Sequence, residues 1–122
     1  VINTNNSTSS YNYVDTNVTE NKNYELTVVL DGTTITKTFS VLLDPGSNID
    51  IMPITYQDGI TYLDDNSAVL VLYATGKDFV YLAGSFNNWQ PNTSFAMKKD
   101  PTRSNKFWIE LTGLTPDQIE TY

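Results

Sequence analysis

The chain has 122 residues, neither histidine nor cysteine, and a net charge of −7. Without imidazole or thiolate there are no Ser/His/Asp triads, no cysteine nucleophiles and no His/Cys zinc sites, and a (β/α)₈ barrel of about 250 residues does not fit. The acidic balance disfavours nucleic acid and anionic membranes, both of which are bound through basic patches.

Residues 1–20 are rich in Asn, Thr and Ser and show no period of 2 or 3.6, so irregular structure is expected there. The Asn-X-Ser/Thr triplets at Asn5, Asn6, Asn17 and Asn92 are what chance gives in such a composition. From Tyr24 the pattern changes. Tyr24, Leu26, Val28 and Leu30 alternate with Glu25, Thr27 and Val29, and Asp31-Gly32 precedes Thr34 to Leu43. Asp-Gly supplies the positive φ of a tight turn, which predicts a β-hairpin within 21–44. A hairpin alone is marginal in water. Its sequence resembles the closing strands of bacterial immunoglobulin-like or polycystic-kidney-disease-like repeats, which implies the tail of a second, partial β-domain.

Asp44 to Asn48 reads as a linker, with Pro and Gly breaking the pattern, and the linker is taken to extend over 45–54. From residue 55, candidate strands at 60–63, 68–73, 79–83, 95–98 and 106–111 are each bounded by Gly, Asn, Asp or Pro. That spacing suits an antiparallel sandwich. The expected core is Val69, Val71, Tyr73, Val80, Leu82, Phe86, Met97, Phe107, Ile109, Leu111 and Leu114. Alternation puts Phe107, Ile109 and Leu111 inside and leaves Trp108 and Glu110 outside. Thr115-Pro116-Asp117-Gln118 has capping-box spacing with Pro at the first helical position, predicting one helical turn.

The most specific element is Ala83-Gly84-Ser85-Phe86-Asn87-Asn88-Trp89 at the end of a predicted strand, preceded by an Ala-x-Gly turn and followed by Met97-Lys98, Phe107 to Leu111 and Gly113-Leu114. Over residues 55–122 this order resembles the family 48 carbohydrate-binding module and the related N-terminal domains of glycoside hydrolase family 13 amylase-like proteins, among them those of Bacteroidetes. The resemblance implies an all-β fold, an immunoglobulin-like β-sandwich of the early-set type preceded by the hairpin. Family members continue with a further strand and turn that add a Lys and an aromatic residue to the sugar site. This sequence reaches only Tyr122, so the module is expected to be incomplete at its C-terminal end.

What this implies for function is a non-catalytic module binding starch, glycogen or another α-glucan within a larger secreted or cell-surface bacterial hydrolase, with the adjacent catalytic domain in the same chain as partner. A spacer packed on a catalytic barrel, and a module of a surface glycan-binding lipoprotein, are the alternatives. Trp89 is expected to present a flat indole to a glucose ring, with Asn88, Gln90 and Lys98 bonding hydroxyls and Trp108 as a second aromatic candidate. No cofactor and no metal is expected. Asp64-Asp65-Asn66 lacks the spacing of a calcium cage, and the pairs Asp64/Asp65 and Asp100/Glu110 read as solvated carboxylates rather than an acid/base pair. No apolar run is long enough to span a membrane. Lys98, Lys99, Arg103 and Lys106 read as hairpin surface.

Overall fold

A computed structural model describes residues 3–6 and 10–122. The chain divides into two compact units, Val1–Val41 and Leu42–Tyr122. The fold is all-β, with antiparallel strands in two sheets, one in each unit. No described helix is long and apolar enough to cross a membrane.

In the first unit, residues 3–6 and 10–20 carry no strand or helix; the rest of the segment read as irregular, residues 1–2 and 7–9, lies outside the described residues. Strands β1 (Lys22–Leu30) and β2 (Thr33–Val41) form the hairpin. Asp31 and Gly32 both have positive φ, 48° and 78°, which lets the turn follow the twist of the strands. The register pairs Tyr24 with Phe39 and Val28 with Ile35 on one face, Asn23 with Ser40 and Thr27 with Thr36 on the other. The Tyr24 and Phe39 rings stack at 5.3 Å, and the Tyr24 hydroxyl donates to Asp15 Oδ2 at 2.7 Å.

In the second unit, β3 (Gly59–Asp64), β4 (Ser67–Tyr73), β5 (Lys98–Lys99) and β6 (Lys106–Thr112) form one antiparallel sheet in the order β3-β4-β6-β5. Successive residues of β4 and β6 point to opposite faces, and apolar residues pack on both. On one, Val69, Val71 and Trp108 pack with Met52 and Tyr56. On the other, Phe107 and Ile109 pack with Leu82 and Met97, flanked by Leu70, Val80, Phe86, Phe95 and Leu111.

The first of these faces differs from the sequence expectation. Trp108, read as outward, is only 3% exposed. Alternation assigns it correctly to the face opposite Phe107, but that face is not solvent. Residues 48–56, most of which belong to the stretch read as a linker, lie across it. Asn48 Nδ2 donates to Ala96 O at 2.9 Å, Lys99 N to Asn48 O at 2.8 Å, and Asp50 N to Lys99 O at 3.2 Å. Met52 is buried beside the indole, whose Nε1 donates to Asp50 O at 3.2 Å.

Three other expectations are also adjusted. Tyr73, expected in the core, is 58% exposed at the end of β4, where it lies under the Lys106 ammonium. The strands read at 79–83 and 95–98 shrink to one antiparallel bridge, Tyr81 with Ala96, plus the two-residue β5. Thr115 to Gln118 makes a turn, with Gln118 N donating to Thr115 O at 3.2 Å, and not a helix. Asp117 takes a left-handed φ of 62°, which a right-handed helix cannot continue through.

One buried acid ties this unit together. Asp100 is 3% exposed; its Oδ1 accepts from Thr102 N and Thr102 Oγ1, both at 2.7 Å, and Arg103 Nε lies 3.7 Å from Oδ2. Burial alone would raise its pKa. The bonds from Thr102, and backbone N–H groups of Met52 and Arg103, favour the carboxylate more strongly and hold the pKa below the usual aspartate range. A carboxyl with a depressed folded pKa stabilises the fold above its unfolded pKa of about 3.9, and that stability is lost as pH falls through the folded value. The thermal midpoint of the second unit is therefore expected to drop below about pH 4, with a flatter acid limb in Asp100→Asn. Asp100→Ala should cost about 1–3 kcal/mol at neutral pH, measured by denaturant unfolding.

Candidate functional site

The corner at 83–90 follows the strand-like residues 80–82, where Leu82 N donates to Phe95 O and Met97 N to Val80 O, each at 2.9 Å. A single 3₁₀ turn, Ser85–Asn87, then folds the chain back. Asn87 makes it: its Oδ1 accepts from Gly84 N at 2.8 Å and its Nδ2 donates to Leu82 O at 3.1 Å. One amide side chain thus satisfies a donor and an acceptor that the turn would otherwise strand, which is why Asn suits the third position after Gly84. Backbone bonds complete the loop, with Asn87 N and Trp89 N both donating to Gly84 O at 3.1 and 2.8 Å, Asn88 N to Ser85 O at 3.2 Å and Gln90 N to Asn87 O at 3.0 Å. Phe86 points inward against Phe95, ring centroids 5.5 Å apart.

Gly84 is required for a reason that the sequence does not reveal. Its φ of −169° is ordinary extended backbone, so it does not bend the strand. Space decides it instead, because a Cβ there would collide with the Phe86 ring and the Thr121 carbonyl oxygen. The segment near the end of the chain runs against this corner: Ser85 N donates to Thr121 O and Thr121 N to Ser85 Oγ, both at 2.9 Å, and Ser85 Oγ bonds Glu120.

Asn88 and Trp89 follow with φ of 53° and 58°. Asn adopts the left-handed region readily, but a bulky aromatic there is uncommon, and such backbone costs about 1–3 kcal/mol. The strain is not repaid by burial of the indole, since Trp89 is 53% exposed. The corner therefore holds Trp89 outward with Asn88 and Gln90, both exposed, on either side. An exposed indole between two amide side chains offers a flat apolar face and hydrogen-bonding groups around it.

The other two candidates are elsewhere. Lys98 pairs with Trp108 across β5 and β6, and Phe107, whose face carries Phe86, points the opposite way. Lys98 Nζ is 4.4 Å from the Trp108 ring centroid and 2.9 Å from Asp50 Oδ2. The ammonium holds the Asp50 carboxyl below its ordinary pKa. Lys98 and Trp108 thus fasten residues 48–56 to the sheet and do not join the Trp89 corner, and Trp108 is too buried to meet a ligand.

Among the described residues no three His, Cys, Asp or Glu side chains are grouped to hold a metal ion. Asp64 spends its carboxylate on the β3–β4 turn, accepting from Asn66 N at 2.8 Å, and bonds from Ser67 and Asn66 lower its pKa. No protein-family model matches the chain, and no curated protein matches it.

Two substitutions separate shape from chemistry at the corner. Gly84→Ala is expected to destabilise the second unit by about 1–3 kcal/mol through the enforced clash. Asn87→Ala strands a donor and an acceptor and should cost about 1–3 kcal/mol. Denaturant unfolding of the two variants beside the parent checks both costs.

Proposed function

We propose that the second unit is a non-catalytic α-glucan-contact module, with Trp89 as the surface against which a glucose ring packs and Asn88 and Gln90 as hydroxyl partners. The observation that carries this reading is the indole itself, kept 53% exposed on backbone of an unfavourable φ. Strain of this kind persists where the surroundings over-determine it, and it clusters at sites that contact ligands. The sugar C–H face is apolar and its rim is hydroxylated, which matches an aromatic plane bordered by amides. The resemblance of Ala83 to Trp89 to the family 48 carbohydrate-binding module, of immunoglobulin-like fold, supports the same assignment, and with it a place in a larger secreted or cell-surface amylase-like protein.

Catalysis has no part in the proposal. Asp64 is engaged in its turn, while Asp100 is buried and tied to Thr102. Neither pairs with a second carboxylate across a cleft in the way glycoside hydrolysis uses two.

The chain has two tryptophans, one buried and one exposed, so fluorescence reports on them separately. Titration with maltoheptaose is expected to shift the long-wavelength emission of Trp89 and leave the Trp108 component unchanged. Trp89→Ala should weaken binding about tenfold or more, the equivalent of ~1.4 kcal/mol. Trp89→Gly should lose binding equally while its unfolding free energy stays within about 1 kcal/mol of the parent or rises, since glycine accepts the positive φ. A glucan titration in which Trp89→Ala binds as well as the parent would remove the proposal.

A further inference from the structure

The Trp108 face of the second sheet is closed by the stretch that runs on to Asp58, and the side chains that fasten residues 48–58 share one chemistry. Asp50 Oδ2 accepts from Lys98 Nζ of β5 at 2.9 Å. Tyr56 Oη donates to Glu110 Oε1 of β6 at 2.5 Å, and Asp58 pairs with the Lys106 ammonium at the start of β6. Directly after β5, the buried Asp100 carboxylate draws the Met52 N–H. These ties all end in carboxylates. Among the described residues the other side-chain ties are Asn48 Nδ2 on Ala96 O and Trp108 Nε1 on Asp50 O.

A hydrogen bond to a carboxylate is roughly twice as strong as one to a neutral carboxyl, and an ion pair is lost when its acid takes a proton. Each tie is weak by itself, since Asp50, Asp58 and Glu110 are exposed. They answer to one variable, however: the chain has no histidine, so carboxyls are the only side chains that titrate in mild acid. The cations facing them are Lys98, Lys106 and Arg103, whereas Lys99 Nζ turns to Lys77 O. The Lys98 bond holds the Asp50 carboxyl below the ordinary aspartate range, and Asp100, which burial pushes up, is held low by the Thr102 bonds that outweigh it. Their share of the fastening is complete above about pH 4 and is lost as pH falls through the lower folded values. The ladder between β4 and β6 is made of main-chain bonds, which no proton at these pH values removes.

We propose that residues 48–58 are an acid-released strap: protonation of Asp50, Asp58, Asp100 and Glu110 together loosens it from β5 and β6 and uncovers Trp108, Val69 and Val71, while β4 and β6 stay paired. Packing of Met52 on the indole keeps the strap closed in neutral solution, and the carboxylate ties set how often it opens. The face it uncovers is apolar, so the opened form offers a surface that the closed form hides.

The test is hydrogen exchange on the whole chain at about pH 6 and about pH 3, each rate divided by the intrinsic rate at that pH. The probes on the strap are the Asp50 and Met52 amides and the Trp108 indole N–H, which bonds Asp50 O. Their opening is expected to rise about tenfold or more in acid, and the protected amides of β4 and β6 to rise by a clearly smaller factor. The triple variant Asp50→Asn, Asp58→Asn, Glu110→Gln keeps the side-chain shapes without the charges. It should open the strap at about pH 6 nearly as acid does in the parent and flatten most of the pH dependence. Should it misfold, Asp50→Asn and Glu110→Gln singly should each raise strap opening about twofold at that pH. Three results overturn the proposal: strap probes unchanged in acid, strap and β4–β6 amides rising by the same factor, or carboxamide variants that open no more than the parent at about pH 6. The second of these would mean that acid unfolds the unit as a whole. None of these readouts involves Trp89, so failure here and failure of glucan contact are distinguishable.

Discussion

The second unit depends on β6 being buried on both of its faces. Phe107 and Ile109 supply one core and Trp108 the other, and a strand in that position cannot stand unless something covers the indole. Residues 48–56 do so through a bond from the indole N–H to Asp50, the Asp50–Lys98 ion pair and the insertion of Met52. Burying a tryptophan removes about 200 Å² of largely apolar surface from water, on the order of 5 kcal/mol as an upper figure. The ion pair is half exposed and screened by solvent, so it adds little. Packing on the indole, with its one directed hydrogen bond, is therefore what fixes this segment, and Lys98 serves chiefly to shield the ring's open side.

That division of labour explains why the candidate residues separate. Adjacent positions on a strand face opposite ways, so a Lys and a Trp paired across β5 and β6 on the Trp108 side cannot also reach a corner built on the Phe86 side. The corner has its own logic. Asn87 closes it from within, Gly84 admits the segment ending in Thr121, and the strained Asn88-Trp89 pair points what remains into solvent. The two tryptophans are thereby placed in opposite settings, Trp108 enclosed in the core and Trp89 displayed to solvent.

Much of this was legible in the residues. The Asp31-Gly32 turn, the alternation of 24–30 and the strands near 60–63, 68–73 and 106–111 follow from period and turn chemistry, and each is present within a residue or two. The outward Trp89 was legible too, since Asn-Asn before it marks backbone that tolerates the left-handed region. Covering by a distant segment was not. Pro45, Gly46 and Pro53 punctuate 44–54 as a linker would, and nothing local tells that of Ile49, Ile51, Met52 and Ile54 only Met52 turns inward. Alternation tells which residues share a face of a strand, but it is silent on whether that face meets water or protein. Gly84 illustrates the same limit, because its necessity arises from Thr121 and the Phe86 ring, a contact that no local pattern encodes.

The two faces also differ in completeness, and this bears on how the unit is used. The Trp108 face is closed by nearby chain and holds small satisfied networks, such as Tyr56 donating to Glu110 at 2.5 Å, so it has little left to offer a partner. The Phe107 face is closed over β6, while over β3 a groove floored by Ile60, Leu70 and Leu111 is closed only in part, by residues 115–122. An apolar floor left hydrated forgoes the stabilisation that burial gives elsewhere in the unit. The acidic residues that line the groove, Asp64, Asp65, Asp117 and Glu120, repel other acidic chains, copies of this one included, and so limit association through it.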